Sequence, residues 1–378
     1  MTTNKGGARL DALVTRLLDH AAADRLTLTA TLDLTPDGSG QPPVLKMLGH
    51  AAREATAGLE SSEAALLDAE IAHLEAEAVD ASERGVLGIV WVSQPHEDSD
   101  APSTLLELAA PIRSSLHVGR GPRVFEVARA AFFDRPVTLV TTDLHTMDVT
   151  RVRYGAETGS AEVDWPQHYL RKVGQRTGRD AFGGGGPGSN VGHSYSNQQR
   201  YVEEQRNLFA NEAAEHLAQF VQGDDLLIVE GVEEARAQLL ARVPESLSER
   251  AVHLPAPQHG EDERDRFERL RALARDAQLA HAAERVEAWA SGAEANAIAG
   301  IEAILTACEQ GRVGSVIVHE DAADHLGSAD DARVQESSVD ADAVERVLQA
   351  ALGQGAIAIF TDDERVLAED GIVAIGRY

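Results

Sequence analysis

At 378 residues the chain is too long for one ordinary hydrophobic core, and two or three domains are expected. A composition of 43% hydrophobic and 25% charged residues excludes a disordered chain, and no apolar run is long enough to cross a bilayer. The net charge of -28, from 62 acidic and 34 basic residues, disfavours indiscriminate binding to nucleic acid, because that field repels a polyanion at long range. A local basic contact stays open, since physiological salt confines each charge to about 8 Å. The one cysteine, Cys308, excludes an internal disulfide, and its neighbours Ile304, Leu305 and Ala307 mark a buried thiol rather than a nucleophile. The N-terminus lacks the apolar core of a signal peptide, so a cytoplasmic location is expected.

The first segment, 1–135, reads as an N-terminal α/β domain. A helix is predicted over Arg9 to Leu18, and Leu26-Thr-Leu-Thr-Ala-Thr-Leu-Asp-Leu alternates as a strand. Pro36 to Gly40 is a turn, and an Ala/Glu-rich helix is predicted from Leu59 to Arg84. A buried strand over Gly85 to Ser93, a polar loop from His96 to Ser103 and a turn at Val118-Gly-Arg-Gly-Pro follow. A short helix around Val124 to Phe132 closes the segment.

The middle segment, 136–258, opens on two strands and a tight turn between Pro136 and Tyr154. Asp143, His145 and Asp148 sit at that turn, where such residues are ordinarily solvated rather than metal-bound. Next comes a basic stretch with Arg171, Lys172, Arg176 and Arg179, then a glycine-rich loop over 183–192 built on Gly183, Gly184, Gly185, Gly186, Pro187 and Gly188. Glycine's conformational freedom disfavours a packed element there. Ser196 and Gln199 have capping-box spacing, and Val202, Phe209, Ala213, Leu217 and Phe220 recur at helical intervals. A strand at Leu226 to Gly231, a helix from Val232 to Arg242 and a strand near Val252 complete an α/β layer.

His259 to Asp265 reads as a charged hinge into the last segment, 259–378, also α/β. It holds a long helix through Trp289, a helix from Asn296 to Gln310 and a strand at Val313 to His319. A polar loop over Ser328 to Ser338, a helix at Ala341 to Leu352, and strands at Ala356 to Phe360 and Gly371 to Tyr378 follow. Trp91, Trp165 and Trp289 read as core or domain-interface residues rather than a base-stacking platform. The chain has no phosphate-binding loop, metalloprotease helix, paired Cys-X-X-Cys or Gly-X-Ser-X-Gly, so no catalytic residue, metal or cofactor is assigned.

The run from Gly300 through Asp321, the stretch Val347 to Phe360 and the ending Gly371-Ile-Val-Ala-Ile-Gly-Arg-Tyr resemble the C-terminal domain of archaeal and eukaryotic class 1 peptide-chain release factors and Pelota. The hairpin, glycine loop, long helix and Leu226 strand follow the order of that family's central domain, and Gln199-Arg-Tyr-Val-Glu-Glu-Gln-Arg-Asn-Leu-Phe is similar to its helix after the Gly-Gly-Gln tip. The first segment resembles the N-terminal domain loosely, and the whole is closer to a bacterial branch than to stop-codon readers. The resemblance implies a three-domain mixed α/β architecture and a place in the ribosomal A site. Two signatures are missing. Counting back from Arg200 puts Ser194-Tyr195-Ser196 at the tip, and the nearby glutamines, Gln198 and Gln199, fall in the first turn of the helix. The Asn-Ile-Lys-Ser type signature of stop-codon reading is also absent.

The expected function is therefore a non-hydrolytic, A-site-binding hibernation or protection factor, resembling the Balon type. Its rRNA- or tRNA-contacting residues would be Arg171, Lys172, Arg176, Arg179, the loop glycines, His193, Gln198, Gln199 and Arg200. Two alternatives stand beside it: a peptidyl-tRNA-hydrolysing rescue or release factor using Gln198 or Gln199, and a tRNA- or protein-binding adaptor. The resemblance further implies a translational GTPase partner of the EF-Tu type, and no membrane partner.

Overall fold

The computed structural model describes residues 10–21, 25–95, 103–134, 136–143, 146–153, 156–164, 191–223, 225–256, 262–292, 296–326, 334–335 and 337–377. Two compact units emerge: 1–134 together with 271–378, and 135–270. The chain is mixed α/β, as its alternating patterns predict.

The first unit contains two four-stranded sheets, one from each end of the chain. Strand β1 (Leu26–Asp33) is flanked antiparallel by β2 (Gly88–Ser93) and β4 (Ser115–Arg120), with β3 (Thr104–Leu108) beyond β2. The leucines of β1 enter a core with Met47, Leu48, Leu67, Ile71, Leu74, Ile89 and Trp91. Helix α1 is Leu10–Ala21, α2 Val44–Ala55 and α3 Ser61–Glu83. Along α3, Leu67, Ile71, Leu74, Ala78 and Ala81 are buried at alternating spacings of four and three, the stripe a helix needs to face a sheet. One predicted boundary is corrected. The Val118-Gly-Arg stretch is not a turn but the end of β4, which runs to Arg120; the chain turns at Gly121. Helix α2 and strand β3 had not been predicted at all.

The second sheet of this unit orders β10 (Ala297–Ala299), β15 (Ile372–Gly376), β11 (Val313–His319) and β14 (Ile357–Thr361), with β11 and β14 parallel, while β12 (His325–Leu326) and β13 (Val334–Gln335) form a separate antiparallel pair. Here β10 and α9 (Ile301–Glu309) replace the helix predicted from Asn296. Gly300 at φ 85° separates them, a conformation in which an ordinary residue would be strained. Helix α10 is Ala341–Gly353 and α11 Glu364–Leu367. Ala282, Val286, Ile317, Ile359, Val366, Val373 and Ile375 form the core, with Phe132 and Trp289 packed against it. Cys308 is buried among these elements, and burial pushes its thiol pKa up, as expected of an inert cysteine.

One carboxylate ties the two chain ends of this unit together. Glu345 of α10 accepts from the Val124 and Phe125 amides at 2.7 and 3.2 Å, where helix α4 (Phe125–Phe133) starts with unsatisfied N–H groups. Burial raises the Glu345 pKa, and the bonds from Val124 and Gln349 only partly offset it. A raised folded-state pKa contributes stability that is full below the ordinary glutamate value and is lost as pH rises through the raised one. The stability difference between E345Q and the wild type is therefore expected to move in favour of the wild type on acidification. Thermal midpoints of both proteins between roughly pH 8 and pH 4 check this, and a trend of the opposite sign contradicts it.

Candidate functional site

The second unit is built on a five-stranded sheet ordered β7 (Ala156–Asp164), β6 (Thr146–Arg153), β5 (Val137–Thr142), β8 (Leu226–Gly231) and β9 (Ala251–Leu254). The predicted strand pair is present, and β7 extends it. Strands β5, β8 and β9 run parallel. The chain leaves β7 at Asp164 and returns as α5 (Val191–Phe220), a helix of 30 residues. Helix α6 is Glu233–Leu240, α7 is Glu245–Ser248, and α8 spans Glu263–Ala290.

Most of the sequence-predicted site falls between β7 and α5. Arg171, Lys172, Arg176, Arg179, Gly183, Gly184, Gly185, Gly186 and Gly188 lie outside the described residues, as do Trp165 and His145. His193, Gln198, Gln199 and Arg200 belong to α5, and Arg200 is exposed. Because α5 begins at Val191, Ser196 and Gln199 are not a capping box; they lie inside the helix. Asp143 closes its turn by accepting from the Thr146 amide at 2.7 Å, and no group able to hold a metal occurs among the described residues.

Helix α5 is fixed to the sheet by its C-terminal part. Phe209, Ala213, Ala214 and Leu217 pack with Val140, Met147, Val149, Val163, Leu227 and Val229. Earlier on the helix, Arg200, Glu203 and Glu204 are exposed, and Gln205 is the first residue described as buried. From Val191 to Gln205 the helix runs about 20 Å, at 1.5 Å per residue.

Two fully buried carboxylates hold the base of this stalk. Asp225, just before β8, takes two 2.8 Å bonds from Arg151 of β6 and one of 2.9 Å from the Thr138 hydroxyl of β5. Glu230, near the other end of β8, pairs with Arg269 at 2.6 Å and Arg266 at 3.4 Å, and Arg266 also donates to Thr141. Gly231 follows at φ 146°, where a Cβ would fall 1.9 Å from the Thr142 carbonyl oxygen, so no other residue fits there.

In the first unit, a further polar constellation escaped sequence reading. Arg113 and Arg129 both bond Glu126, while Arg129 and Arg275 reach Glu320, and Arg113 also binds Asp321. Burial alone would raise the Glu320 pKa; the Arg275 hydrogen bonds and the Arg129 and Arg113 charges outweigh it and hold the carboxyl low. A nearby cavity of about 90 Å³ is lined by Thr29, Thr31, Ser115, His117, Arg123 and His325. Burial, with the Arg123 charge, pushes the His117 pKa down to about 4, so its imidazole is neutral at physiological pH. The Arg113, Arg129 and Arg275 ion pairs tie these elements together, and His117 stands uncharged beside them.

Loss of the Arg151 partner would leave Asp225 charged in a dry site. Arg151→Ala is expected to cost about 3–5 kcal/mol, and Arg151→Met with Asp225→Asn much less. Chemical denaturation of the three proteins measures this, and a single-variant loss under about 1 kcal/mol would show that the pair holds nothing.

Residues 136–294 match the family described as bacterial archaeo-eukaryotic release factor family 2. No curated protein matches the chain. Among solved structures, Pelota from Archaeoglobus fulgidus is 14% identical, with 77% of this chain and 79% of that one covered and a TM-score of 0.35. Dom34 from S. cerevisiae is 9% identical over 77% and 80%, with a TM-score of 0.38. An archaeal Pelota from a ribosome-bound complex with ABCE1 is 14% identical over 77% and 78%, with a TM-score of 0.41. Scores this low fix neither the arrangement of the units nor a function. The sequence match covers almost all of the second unit and much of α8, the elements described above. By that match, residues 136–294 are similar to the bacterial branch of the archaeo-eukaryotic release factors.

Proposed function

We propose that this protein binds the ribosomal A site as a non-hydrolytic hibernation or protection factor, with residues 165–200 as the element that meets RNA. One observation carries the reading. Between Trp165 and Arg200 the sequence holds five cations, Arg171, Lys172, Arg176, Arg179 and Arg200, against the single acid Asp180, inside a chain of net charge -28. That local reversal of sign lies within the segment matched to release factors and leads in sequence into α5, which packs on the sheet through Phe209, Ala213, Ala214 and Leu217. Arginine and lysine neutralise phosphates and release their counterions, so a basic segment of this kind is suited to folded RNA.

The chemistry of hydrolysis has no counterpart in the sequence. No Gly-Gly-Gln occurs anywhere in the chain, and Gln198 and Gln199 belong to α5 rather than to a tip. We read the chain as three domains, 1–135, 136–258 and 259–378, in which the last would face a translational GTPase of the EF-Tu type. Among the described residues no helix is long and apolar enough to cross a membrane.

Cosedimentation with purified ribosomes tests the proposal; failure to bind at low salt sinks it. Arg176→Glu with Arg179→Glu is expected to weaken binding and to lower the slope of log K against log salt by about 1 for each lost phosphate contact. Stalled ribosomes carrying labelled peptidyl-tRNA separate the two activities. No peptide release is expected at saturating protein, whereas release abolished by Gln198→Ala or Gln199→Ala would establish a rescue hydrolase instead.

A further inference from the structure

A groove of about 670 Å³ runs along α5 on the part of the helix that is anchored to the sheet. Gln205, Leu208, Glu212 and Glu215 follow one another at spacings of three and four, and so share one face of the helix. Phe209 and Ala214 contribute the buried floor, and Arg242 and Pro244, beyond α6, also line the space. Leu208 is 50% exposed, one of four large hydrophobic residues so exposed among the described residues, and it lies within a concavity. An exposed leucine on a convex surface needs no explanation, but one lining a groove of this size marks a place for another apolar group.

The charges select the partner. Glu212 and Glu215 are exposed and pair with no cation among the described residues. Arg242, the cation of the groove, is engaged by Asn211, Asn207 and the Gln238 carbonyl. Farther along α5, Glu203 and Glu204 add exposed carboxylates. An apolar floor beneath unpaired carboxylates repels a nucleic-acid backbone and favours a chain that presents leucine-like side chains beside lysine or arginine. From Gln205 to Ala218 the groove is roughly 20 Å long, which suits three to four turns of a helix.

We propose that this groove docks a basic, amphipathic helical peptide of a partner protein, which sets apolar side chains against Leu208 and cations against Glu212 and Glu215. Recognition follows the helix-in-groove mode, with anchors at helical spacing. The groove is built from none of the residues proposed to meet RNA, and its test does not depend on ribosome binding.

The probe is a synthetic labelled helix of about four turns with leucines on one face and lysines on the other, titrated into the full chain by fluorescence anisotropy. Binding is expected, with Leu208→Ala weakening it about tenfold, the worth of one buried leucine side chain. Glu212→Lys with Glu215→Lys should weaken it at least as much, and a leucine–glutamate peptide should not bind. Because the whole chain is acidic, Glu302→Lys with Glu309→Lys on α9 serves as the control for adhesion of any cation, and it should leave binding unchanged. Equal loss in the control, indifference to Leu208→Ala, or preference for single-stranded RNA over the peptide overturns the proposal. So does a Leu208-dependent dimer in light scattering, which would assign the groove to a second copy of the chain. Far-UV circular dichroism verifies that each variant is folded.

Discussion

Strand β8 carries a buried carboxylate near each end, and the second unit is organised around satisfying both. An isolated ionised carboxylate in a dry interior costs several kcal/mol, so Asp225 and Glu230 require cations brought to them. Asp225 draws in Arg151 from β6, on the far side of β5, and thereby fixes the hairpin whose outer strand leads to the basic segment. Glu230 draws in Arg266 and Arg269 from the beginning of α8 and sets that part of the helix against the end of the sheet. Apolar packing of α5 explains why the layer forms at all, since burial supplies most of the favourable energy. The two charge clamps explain why it forms with one register and one placement of α8.

The first unit applies the same logic across a greater chain separation. Glu345 satisfies the start of α4 from a residue 221 positions away, and Arg113 reaches Asp321 across 208 positions. The threonine face of β1 belongs to this economy. Thr27, Thr29 and Thr31 are buried, and their hydroxyls bond the Arg25 carbonyl, the Arg123 amide, and the Arg113 carbonyl with Ser115. An alternating strand ordinarily keeps its polar face in water. Here hydroxyls replace that water, so both faces of β1 are covered and the N- and C-terminal segments form one compact unit.

Those facts set what the sequence could disclose. Elements with strong periodicity were legible: β1, α3, β8, α10 and β11 lie within a few residues of their predicted places. Helix α2 was hidden by Gly49 in its middle and by the double proline before it; Pro43 at its N-cap in fact suits a helix start. Strand β7, Ala-Glu-Thr-Gly-Ser-Ala-Glu-Val-Asp, has little intrinsic strand preference and exists because β6 offers it a ladder of hydrogen bonds. Ser196 and Gln199 match a capping pattern by composition alone, and a helix already under way at Val191 overrides it. Of the candidate site, the basic composition was legible, because it is local. The partners of Asp225 and Glu230 were not, because Arg151, Arg266 and Arg269 lie tens of residues away and nothing in their neighbourhood singles them out. The groove at Leu208 was equally hidden, since half-exposure depends on what the fold leaves uncovered.

A chain this acidic can hold a basic contact only if the opposing charges are kept apart, and helix length supplies the separation. From Arg200 to Glu212 is about 18 Å of helix, roughly twice the screening length at physiological salt. At that distance the carboxylates along the groove scarcely weaken the attraction of Arg200 for an anion, and Arg200 scarcely neutralises the groove. Glu203 and Glu204, also exposed, lie between the two on the helix. One helix, α5, carries exposed Arg200 toward its start and exposed Glu212 and Glu215 along the groove. The large net negative charge then becomes a source of selectivity. It opposes RNA except where the shape of a partner brings phosphates to a segment of reversed sign, such as the one proposed between Trp165 and Arg200.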